Sequence, residues 1–240
     1  MNFCRKHSSY QKAATVQAEV AAWTAELLPR IPQLQGQVME VGAGTGLFTQ
    51  YLSKHFPELI ATDLSQAMIE VGKTSLPNVS WKVQDAWELP ANEKISGLFS
   101  SSLLQWSNNP KEVLSKWNQV LAPGAWMLHS FFIEGSLNEL QSVAPESIAL
   151  NFRSIDDWKQ YFQDSGFQVL DTAHREDLLY FDSALRFFRN LHDLGATSPN
   201  KLSPSRLRRI LEKYESQFSS DQGVCATWST GRFLCRKPLD

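Results

Sequence analysis

The stretch Glu40-Val41-Gly42-Ala43-Gly44-Thr45-Gly46, with Asp63 seventeen residues after its last glycine, decides the fold class. The pattern is typical of a strand that ends in a glycine turn and passes into a helix. Glycine lets the backbone lie against a ligand where a side chain would block it. A plain connecting turn would also use glycine. Asp63 at the end of the next strand favours a nucleoside pocket, because a carboxylate there can accept hydrogen bonds from ribose hydroxyls.

The spacing of the glycines separates this turn from dinucleotide-binding turns. It is Gly-x-Gly-x-Gly, whereas pyrophosphate binders use Gly-x-Gly-x-x-Gly. Glu40, a negative residue at the strand end, suits a cationic ligand better than a phosphate. S-adenosylmethionine carries a sulfonium and an ammonium group, so the turn predicts this molecule as the cofactor. The same two features disfavour a nicotinamide dehydrogenase.

Length, composition and charge are those of an ordinary globular enzyme. The 240 residues suffice for one large α/β domain, and we expect a single domain over 1–240. Hydrophobic residues make up 42% and charged residues 20%, which argues against disorder. The net charge of -2 argues against a protein that coats nucleic acid, so no nucleic-acid partner is expected.

Cysteine, histidine and hydropathy patterns exclude further classes. The three cysteines are an odd number without a Cys-x-x-Cys spacing, which favours a reducing cytoplasm. Residues 1–10 are polar and basic, and no run approaches the ~18 apolar residues of a membrane span, so a cytoplasmic protein without a membrane partner is expected. The histidines lack metal-ligand spacing, so no metal site is predicted.

Hydrophobic periodicity predicts alternating helices and strands. An amphipathic helix over 12–28 belongs to an N-terminal cap over 1–30 that could cover the pocket. The predicted strands are 38–41, 59–62, 79–83, 95–100, 126–132, 167–170 and one within 225–235. Such alternation predicts a Rossmann-like, seven-stranded and mostly parallel sheet with helices on both faces and an antiparallel last strand.

Helix signals lie between these strands. Ser65 and Ser154 are predicted N-caps, Pro110 opens a helix, and Gly166 ends one. The Pro123-Gly124 pair is predicted to turn the chain into the fifth strand.

A helical lid insertion is predicted over 182–220. Asp182 is expected to cap one helix that reaches Leu194, and a second helix runs from Ser205 to about Phe218. The segment holds seven Lys or Arg and four Asp or Glu, so it carries +3. Arg206, Arg209 and Lys213 share one face of the second helix. A solvated basic face explains this charge as well as a partner site does.

The order of motifs over 38–132 resembles class I S-adenosylmethionine-dependent methyltransferases. These motifs are the Glu40–Gly46 turn, Asp63, Asp85-Ala86, Phe99–Ser102 and Leu121–Gly124. The resemblance implies that 38–132 is the cofactor-binding core, in which the glycine turn supports the methionine part, Asp63 the ribose and Asp85 the adenine. It implies cofactor contacts for Gln17, Glu40, Gly42, Ala43, Gly44, Gly46, Asp63, Leu64, Met68, Asp85, Ala86, Trp87, Ser101 and Ser102.

Further stretches make the chain similar, from end to end, to the malonyl-acyl carrier protein O-methyltransferases of biotin synthesis. They are Ser9–Gln17, Gln105-Trp106, Phe132–Leu140, Phe181–Leu185 and Asp193–Thr197. That family methylates the free carboxylate of a malonyl thioester so that fatty-acid enzymes can elongate it toward pimelate. The resemblance implies an acidic partner, the malonyl-acyl carrier protein, which would meet the basic face of Arg206, Arg209 and Lys213. A monomer is expected.

A carboxylate acceptor simplifies the chemistry. Its reference pKa is about 3.5, so it is ionised at neutral pH and needs no general base. The expected task is positioning over the carboxyl edge of the sheet, with Tyr10 and His129 as catalytic candidates. The substrate candidates are Gln105, Trp106, Arg153 and Arg186, the arginines because guanidinium binds carboxylate in two-pronged fashion. An ordinary surface role is the preferred explanation for either arginine alone, and packing is the commoner role for a residue such as Trp106. For Tyr10, a contact in the lid and packing of the helix explain the residue equally well.

Two rival functions stay open at this stage. One is another small-molecule methyltransferase, acting on a quinone precursor or a different acid, which would share the whole cofactor half. The other is a methyltransferase-like assembly factor that has become a binding protein or a hydroxylase. Only residues 133–220 distinguish the first rival, whereas the intact turn, Asp63 and Asp85 argue against the second.

Overall fold

The structure, a computed structural model, describes residues 16–90, 94–197 and 202–239. Contacts within the chain divide it into two compact units. The core unit comprises Gln17–Phe131, Ser154–His174 and the chain from Gly231 onward. The second unit includes Phe132–Arg153 and Arg175–Thr230. The single domain expected over 1–240 stays a prediction. The same holds for its expected parts, which are the cap over 1–30, the cofactor-binding core over 38–132 and the lid over 182–220.

All seven predicted strands are present, and a two-residue strand makes eight. The strands are β1 Gln37–Val41, β2 Leu59–Asp63, β3 Ser80–Val83, β4 Ile95–Ser101, β5 Leu121–Phe132, β6 Gln168–Phe181, β7 Ser219–Ser220 and β8 Gly223–Arg236. Their order in the sheet is β3-β2-β1-β4-β5-β8-β6, with β7 paired to β8. The first five strands pair in parallel, and the end strands are antiparallel. The predicted α/β architecture is confirmed.

Helices connect the strands as the periodicity predicts. The first described helix, α1, covers 16–25. The others are α2 Thr49–His55, α3 Gln66–Ser75, α4 Pro110–Val120, α5 Asn138–Val143, α6 Ile155–Asp164, α7 Ala184–Asp193 and α8 Pro204–Phe218. In the part of the chain that the structure describes, no helix is long and apolar enough to cross a membrane.

The helix starts show why these segments are helical. Ser65 accepts a hydrogen bond from the backbone N–H of Met68 at the start of α3. Ser154 and Asp157 form a reciprocal capping box at the start of α6, and Pro110 occupies the first turn of α4. The predicted signals at Ser65, Pro110 and Ser154 are therefore confirmed.

Two predicted helix starts are wrong by one residue. Ser183, and not Asp182, is the N-cap of α7, because its backbone is extended and its hydroxyl accepts from the N–H of Arg186. Helix α8 begins at Pro204, with Ser203 as its cap, one residue before the predicted Ser205.

Strand β5 begins earlier than predicted. Pro123-Gly124 does not turn the chain into the strand, because both residues lie inside it. The pairing with β4 jumps from Ile95↔Leu121 to Gly97↔Trp126, which marks a bulge. Gly124 supplies the positive φ of 76° that this bulge requires.

Strand β6 is far longer than the predicted 167–170. It continues to Phe181 through Arg175–Asp177, whose charged side chains break the apolar pattern that the prediction used. The strand lies at the end of the sheet order, where polar side chains are common because they discourage pairing with other chains.

The core unit packs α1 and β8 against its sheet. Thr24 of α1 donates a hydrogen bond to the hydroxyl of Ser130 on β5 at 2.6 Å. The guanidinium of Arg232 lies 4.2 Å from the ring centre of Trp23 and also donates to the Trp23 carbonyl. These contacts fix the described part of the N-terminal helix.

The second unit has its own apolar cluster, formed by α7 and α8. Phe187 and Tyr214 are fully buried, with ring centres 5.1 Å apart. The hydroxyl of Tyr214 donates to the carbonyl of Cys225 at 2.7 Å. Ile210 is also buried, whereas Arg209 and Lys213 are exposed, so the predicted division of α8 into an apolar and a basic face is confirmed.

Candidate active site

The glycine turn after β1 leaves open space at its centre. Gly42 and Gly44 have positive φ values of 67° and 56°. A Cβ added to Gly42 would come within 2.7 Å of the Leu103 side chain, so this glycine allows the loop after β4 to pack against the turn. A Cβ added to Gly44 would meet nothing within 4 Å. The backbone at Gly44 therefore borders free volume that a ligand could fill.

Asp63 links this turn to the helix that follows β2. Its Oδ2 accepts from the N–H of Gly44 at 2.9 Å, and its Oδ1 accepts from the N–H of Ser65 at 2.8 Å. An ionised carboxylate has about four acceptor positions, so each oxygen keeps capacity for a ribose hydroxyl. Asp63 is half-buried, which keeps its carboxylate accessible. The structure thus places Asp63 beside the turn, as the sequence indicated.

Glu40 is enclosed beneath the turn. It is 1% exposed, and its Oε2 accepts from the hydroxyl of Thr49 at 2.6 Å. Burial, with a smaller contribution from the charge of Asp63, raises the pKa of Glu40 to about 8, although the hydrogen bond from Thr49 lowers it. The protonated acid is therefore the favoured form at pH 7, in contrast to the negative residue that the sequence suggested. Sequence reasoning missed Thr49, although its position on the first turn of α2 is a usable signal.

Asp85 lies in the loop after β3 and is fixed by its neighbours. Its Oδ1 accepts from the N–H of Trp87 at 2.8 Å. The intervening Ala86 offers its carbonyl to the indole N–H of Trp117 at 2.7 Å. The Trp87 ring stacks 6.3 Å from the Trp117 ring, so helix α4 anchors this loop.

Two exposed apolar side chains closely follow Asp63 along the chain. Leu64, directly after Asp63, is 70% exposed, and Met68 at the first turn of α3 is 38% exposed. Large exposed apolar groups next to a polar pocket favour a planar, partly apolar ligand such as adenine.

The segment after β4 contributes a strained residue and a buried amide. Ser102 has φ 59° although it is not glycine, and its N–H donates to the Ser130 carbonyl at 2.7 Å. Gln105 is buried, whereas its neighbour Trp106 is 39% exposed. Ser101 accepts from the hydroxyl of Ser130 at 3.2 Å. Strain of this kind persists where the surroundings enforce it, often at functional sites.

His129 lies inside the core unit. It has no exposed surface, and its ring stacks between Trp117 at 5.2 Å and Phe162 at 6.1 Å. Its Nδ1 is hydrogen-bonded to the Ser100 hydroxyl at 2.7 Å, and burial lowers its pKa to about 3. A fully buried ring that stacks between two aromatic side chains is typical of a packing residue, in contrast to the catalytic role that the sequence suggested.

The other candidates are placed as follows. Gln17 is half-buried on α1, and Gly46 closes the glycine turn with φ 98°. Arg153 and Arg186 belong to the second unit, where Arg153 donates to the Asn151 carbonyl at 3.2 Å. Tyr10 lies outside the described residues. Among residues 16–90, 94–197 and 202–239, no group of His, Cys, Asp and Glu could hold a metal ion.

Comparison with known proteins identifies the family. The chain matches the methyltransferase domain family over residues 12–172. A malonyl-acyl carrier protein O-methyltransferase of Hahella chejuensis is 31% identical over 253 residues, which covers 96% of this chain and 86% of the relative. The chain belongs to the malonyl-acyl carrier protein O-methyltransferase family.

Two further matches show how much of a longer relative this family member spans and which solved structure shares its fold. The biotin biosynthesis bifunctional protein BioHC of Teredinibacter turnerae is 27% identical over 85% of this chain, which spans only 40% of that relative. The crystal structure of a putative methyltransferase from Bacillus halodurans has the same fold, with a TM-score of 0.65 and 16% identity. The superposed part covers 89% of this chain and 98% of the Bacillus halodurans chain.

The residues around the glycine turn of this family member fit S-adenosylmethionine. The protein is a methyltransferase that depends on S-adenosylmethionine. The free volume at Gly44, the accessible carboxylate of Asp63 and the exposed Leu64 match the backbone, ribose and adenine contacts that such a cofactor needs.

Proposed function

We propose that the protein transfers the methyl group of S-adenosylmethionine to the free carboxylate of malonyl-acyl carrier protein. The product is the malonyl methyl ester that enters pimelate synthesis for biotin. The observation that supports this most is the match of 96% of the chain to a relative of this activity, which extends well beyond the methyltransferase domain. The residues outside that domain include α7 and α8, where a substrate-specific part would lie.

The proposed cofactor site is built from the core unit. Asp63 binds the ribose and Asp85 the adenine amino group, while Leu64 and Met68 cover the ring. The backbone at Gly42, Ala43, Gly44 and Gly46 supports the methionine part, with Glu40 beneath it. The remaining proposed cofactor contacts are Gln17, Ala86, Trp87, Ser101 and Ser102.

The chain's contribution to catalysis is positioning. The bound cofactor supplies a methyl group on a sulfonium, and the acceptor carboxylate is already ionised at neutral pH. A general base is therefore not required. Charge is dispersed when an anion meets a cation, so a drier site favours the transfer. We propose Trp106, Arg153 and Arg186 as candidates for binding the malonyl carboxylate, while the fourth candidate, Tyr10, lies outside the described residues.

The basic face of α8 is the proposed docking surface for the carrier protein. Arg209 and Lys213 are exposed, and neither forms an ion pair with another residue in the described part of the chain. Arg206 is less available, because its guanidinium binds Glu146 at 2.6 Å. Complementary charge would raise the rate of encounter with an acidic carrier more than the final affinity. The protein would act as a cytoplasmic monomer, without nucleic-acid or membrane partners.

Mass spectrometry of malonyl-acyl carrier protein tests the proposal. Incubation with the purified protein and S-adenosylmethionine should add one methyl group, about 14 Da, that base hydrolysis removes. The Asp63→Ala variant should give no such product. Cofactor binding without any gain in mass would reject this substrate and leave another acid as the acceptor.

A further inference from the structure

A single peptide group in the loop after β3 is bonded on both sides. The carbonyl of Ala86 accepts from the indole N–H of Trp117 at 2.7 Å, in a buried hydrogen bond. The N–H of the same peptide group, which belongs to Trp87, donates to Oδ1 of Asp85 at 2.8 Å. A peptide group is planar, and in its trans form the C=O and the N–H point in opposite directions. Trp117 therefore fixes the donor that orients the Asp85 carboxylate.

Trp117 is held in one orientation by a stack of four near-parallel rings. Its ring lies 6.3 Å from that of Trp87 and 5.2 Å from that of His129, with interplanar angles of 22° and 27°. The His129 ring continues the stack to Phe162, at 6.1 Å and 16°. Trp117 and Phe162 have no exposed surface, and all four residues belong to the core unit. Close packing of this kind keeps the indole N–H directed at the loop.

Helix α4 contacts the same loop at a second point. Lys116, beside Trp117, forms an ion pair with Glu88 at 2.6 Å. The side chain of Gln84 donates to the carbonyls of Asp85 and Glu88, at 3.1 and 2.6 Å. Exposed ion pairs contribute little to stability, so the buried hydrogen bond of Trp117 is the stronger of the two anchors.

The Asp85 carboxylate can still accept a hydrogen bond from a ligand. It is half-buried, and a carboxylate has about four acceptor positions, of which the Trp87 N–H uses one. The proposed cofactor site assigns to Asp85 the amino group of adenine, which is a donor. A hydrogen bond weakens steeply as its angle departs from linearity. The direction of the Asp85 carboxylate therefore decides how much the amino group contributes to binding.

We propose that Trp117 is a positioning residue that sets the selectivity of the enzyme for the 6-amino group of its cofactor. It acts through the peptide group between Ala86 and Trp87, which directs the Asp85 carboxylate at that amino group. The proposal rests on the proposed contact between Asp85 and adenine. It holds for any methyl acceptor, because it concerns the cofactor alone.

Calorimetric binding of two ligands tests this role. The ligands are S-adenosylhomocysteine and its analogue with purine in place of adenine, which lacks only the 6-amino group. We expect the unsubstituted protein to bind S-adenosylhomocysteine about tenfold more tightly than the analogue, because the amino group donates to a charged acceptor. Trp117→Phe keeps an aromatic ring and removes the N–H. In this variant the ratio of the two dissociation constants should fall to about three or less.

Further variants separate this role from a general effect on the fold. Trp158→Phe is the matched control, because Trp158 is also a buried tryptophan of the core unit, and it should keep the ratio of the unsubstituted protein. Asp85→Ala should lower the ratio as Trp117→Phe does. If Trp117→Phe does not fold, incorporation of 3-benzothienylalanine at position 117 removes the N–H and keeps the shape of both rings.

The ratio decides the outcome, because a general loss of folded protein cancels in it. An unchanged ratio in Trp117→Phe, whether both ligands bind as before or both are weakened equally, would overturn the proposal in favour of a packing role. A ratio near one in the unsubstituted protein, or an unchanged ratio in Asp85→Ala, would overturn the contact on which it rests. Neither result bears on the malonyl substrate, because the assay contains no methyl acceptor.

Discussion

At the scale of single residues, some residues of the site are needed for folding and others are free to bind a ligand. Gly42 and Gly44 both have positive φ, yet a Cβ added to Gly42 would meet the Leu103 side chain, whereas one added to Gly44 would meet nothing within 4 Å. Asp63 and Glu40 are both acidic, yet Asp63 is accessible and Glu40 is enclosed. Such pairs within one motif allow variants that test binding with little effect on stability.

Gly44→Ala should impair cofactor binding far more than stability. The new methyl group meets nothing in the protein, so the cost is the left-handed backbone alone, about 1–2 kcal/mol. It would occupy the volume that the cofactor needs. We expect binding of S-adenosylhomocysteine, measured by calorimetry, to weaken at least tenfold. Gly166→Ala is the matched control, since its φ is 85° and it lies at the end of α6. Similar binding in both variants would contradict the assignment.

Glu40→Gln should change how stability depends on pH. The pKa of Glu40 is about 8 in the folded protein, whereas its ordinary value is 4.5. Between pH 4.5 and pH 8, the folded state therefore keeps a proton that the unfolded state has released. Stability is therefore full below pH 4.5 and falls as pH rises toward 8, by up to about 1.4 kcal/mol per unit. Thermal unfolding of the cofactor-free proteins measures this effect. The unsubstituted protein should lose more stability between pH 6 and 8 than the Glu40→Gln variant does. Parallel curves would show that Glu40 is not protonated.

At the scale of helices and strands, the sequence predicts elements wherever local signals act alone. Ser65 and Ser154 mark helix starts because a capping side chain bonds to the N–H three residues later. Pro110 marks one because its fixed φ and missing N–H suit the first helical turn. Tertiary pairing decides the rest. The bulge at Gly124 depends on the register with β4, and the length of β6 depends on its place in the sheet.

The same distinction applies to the site. The glycine turn and Asp63 were predictable because a ligand-binding motif fixes their spacing. The burial of His129 between Trp117 and Phe162 was not, since those rings come from distant segments. Nor could the sequence show the raised pKa of Glu40, which follows from its burial.

Reversing the exposed charges of α8 should weaken the reaction with carrier-bound substrate. In the variant Arg209→Glu, Lys213→Glu, repulsion replaces attraction to an acidic partner, so KM should rise several-fold while kcat changes little. Helix α8 should stay folded because Ile210 and Tyr214, on its opposite face, remain buried. The control Lys54→Glu, Lys73→Glu changes the net charge equally on α2 and α3. An equal rise of KM in both variants would indicate net charge, and not this surface, as the cause.

At the scale of the whole molecule, charge is distributed unevenly along the chain. The net charge is -2, yet residues 182–220 carry seven basic and four acidic side chains. An acidic partner would therefore be attracted by one segment of an otherwise acidic protein. Such attraction acts over about 8–10 Å at moderate salt and is screened as salt rises. The dependence of the rate on salt consequently reports whether the substrate is recognised through its carrier or through the malonyl group alone.

The value of kcat/KM for malonyl-acyl carrier protein should fall several-fold between 50 and 500 mM salt, as about three-fold shorter screening lengths reduce steering. Malonyl-N-acetylcysteamine presents the same carboxylate on a small neutral thioester, so its kcat/KM should change much less. Initial rates of methyl transfer from labelled S-adenosylmethionine measure both. A similar fall for the two substrates would trace the salt effect to the cofactor site, which both share. In the double α8 variant the difference between the substrates should shrink, because the basic surface that attracts the carrier is gone.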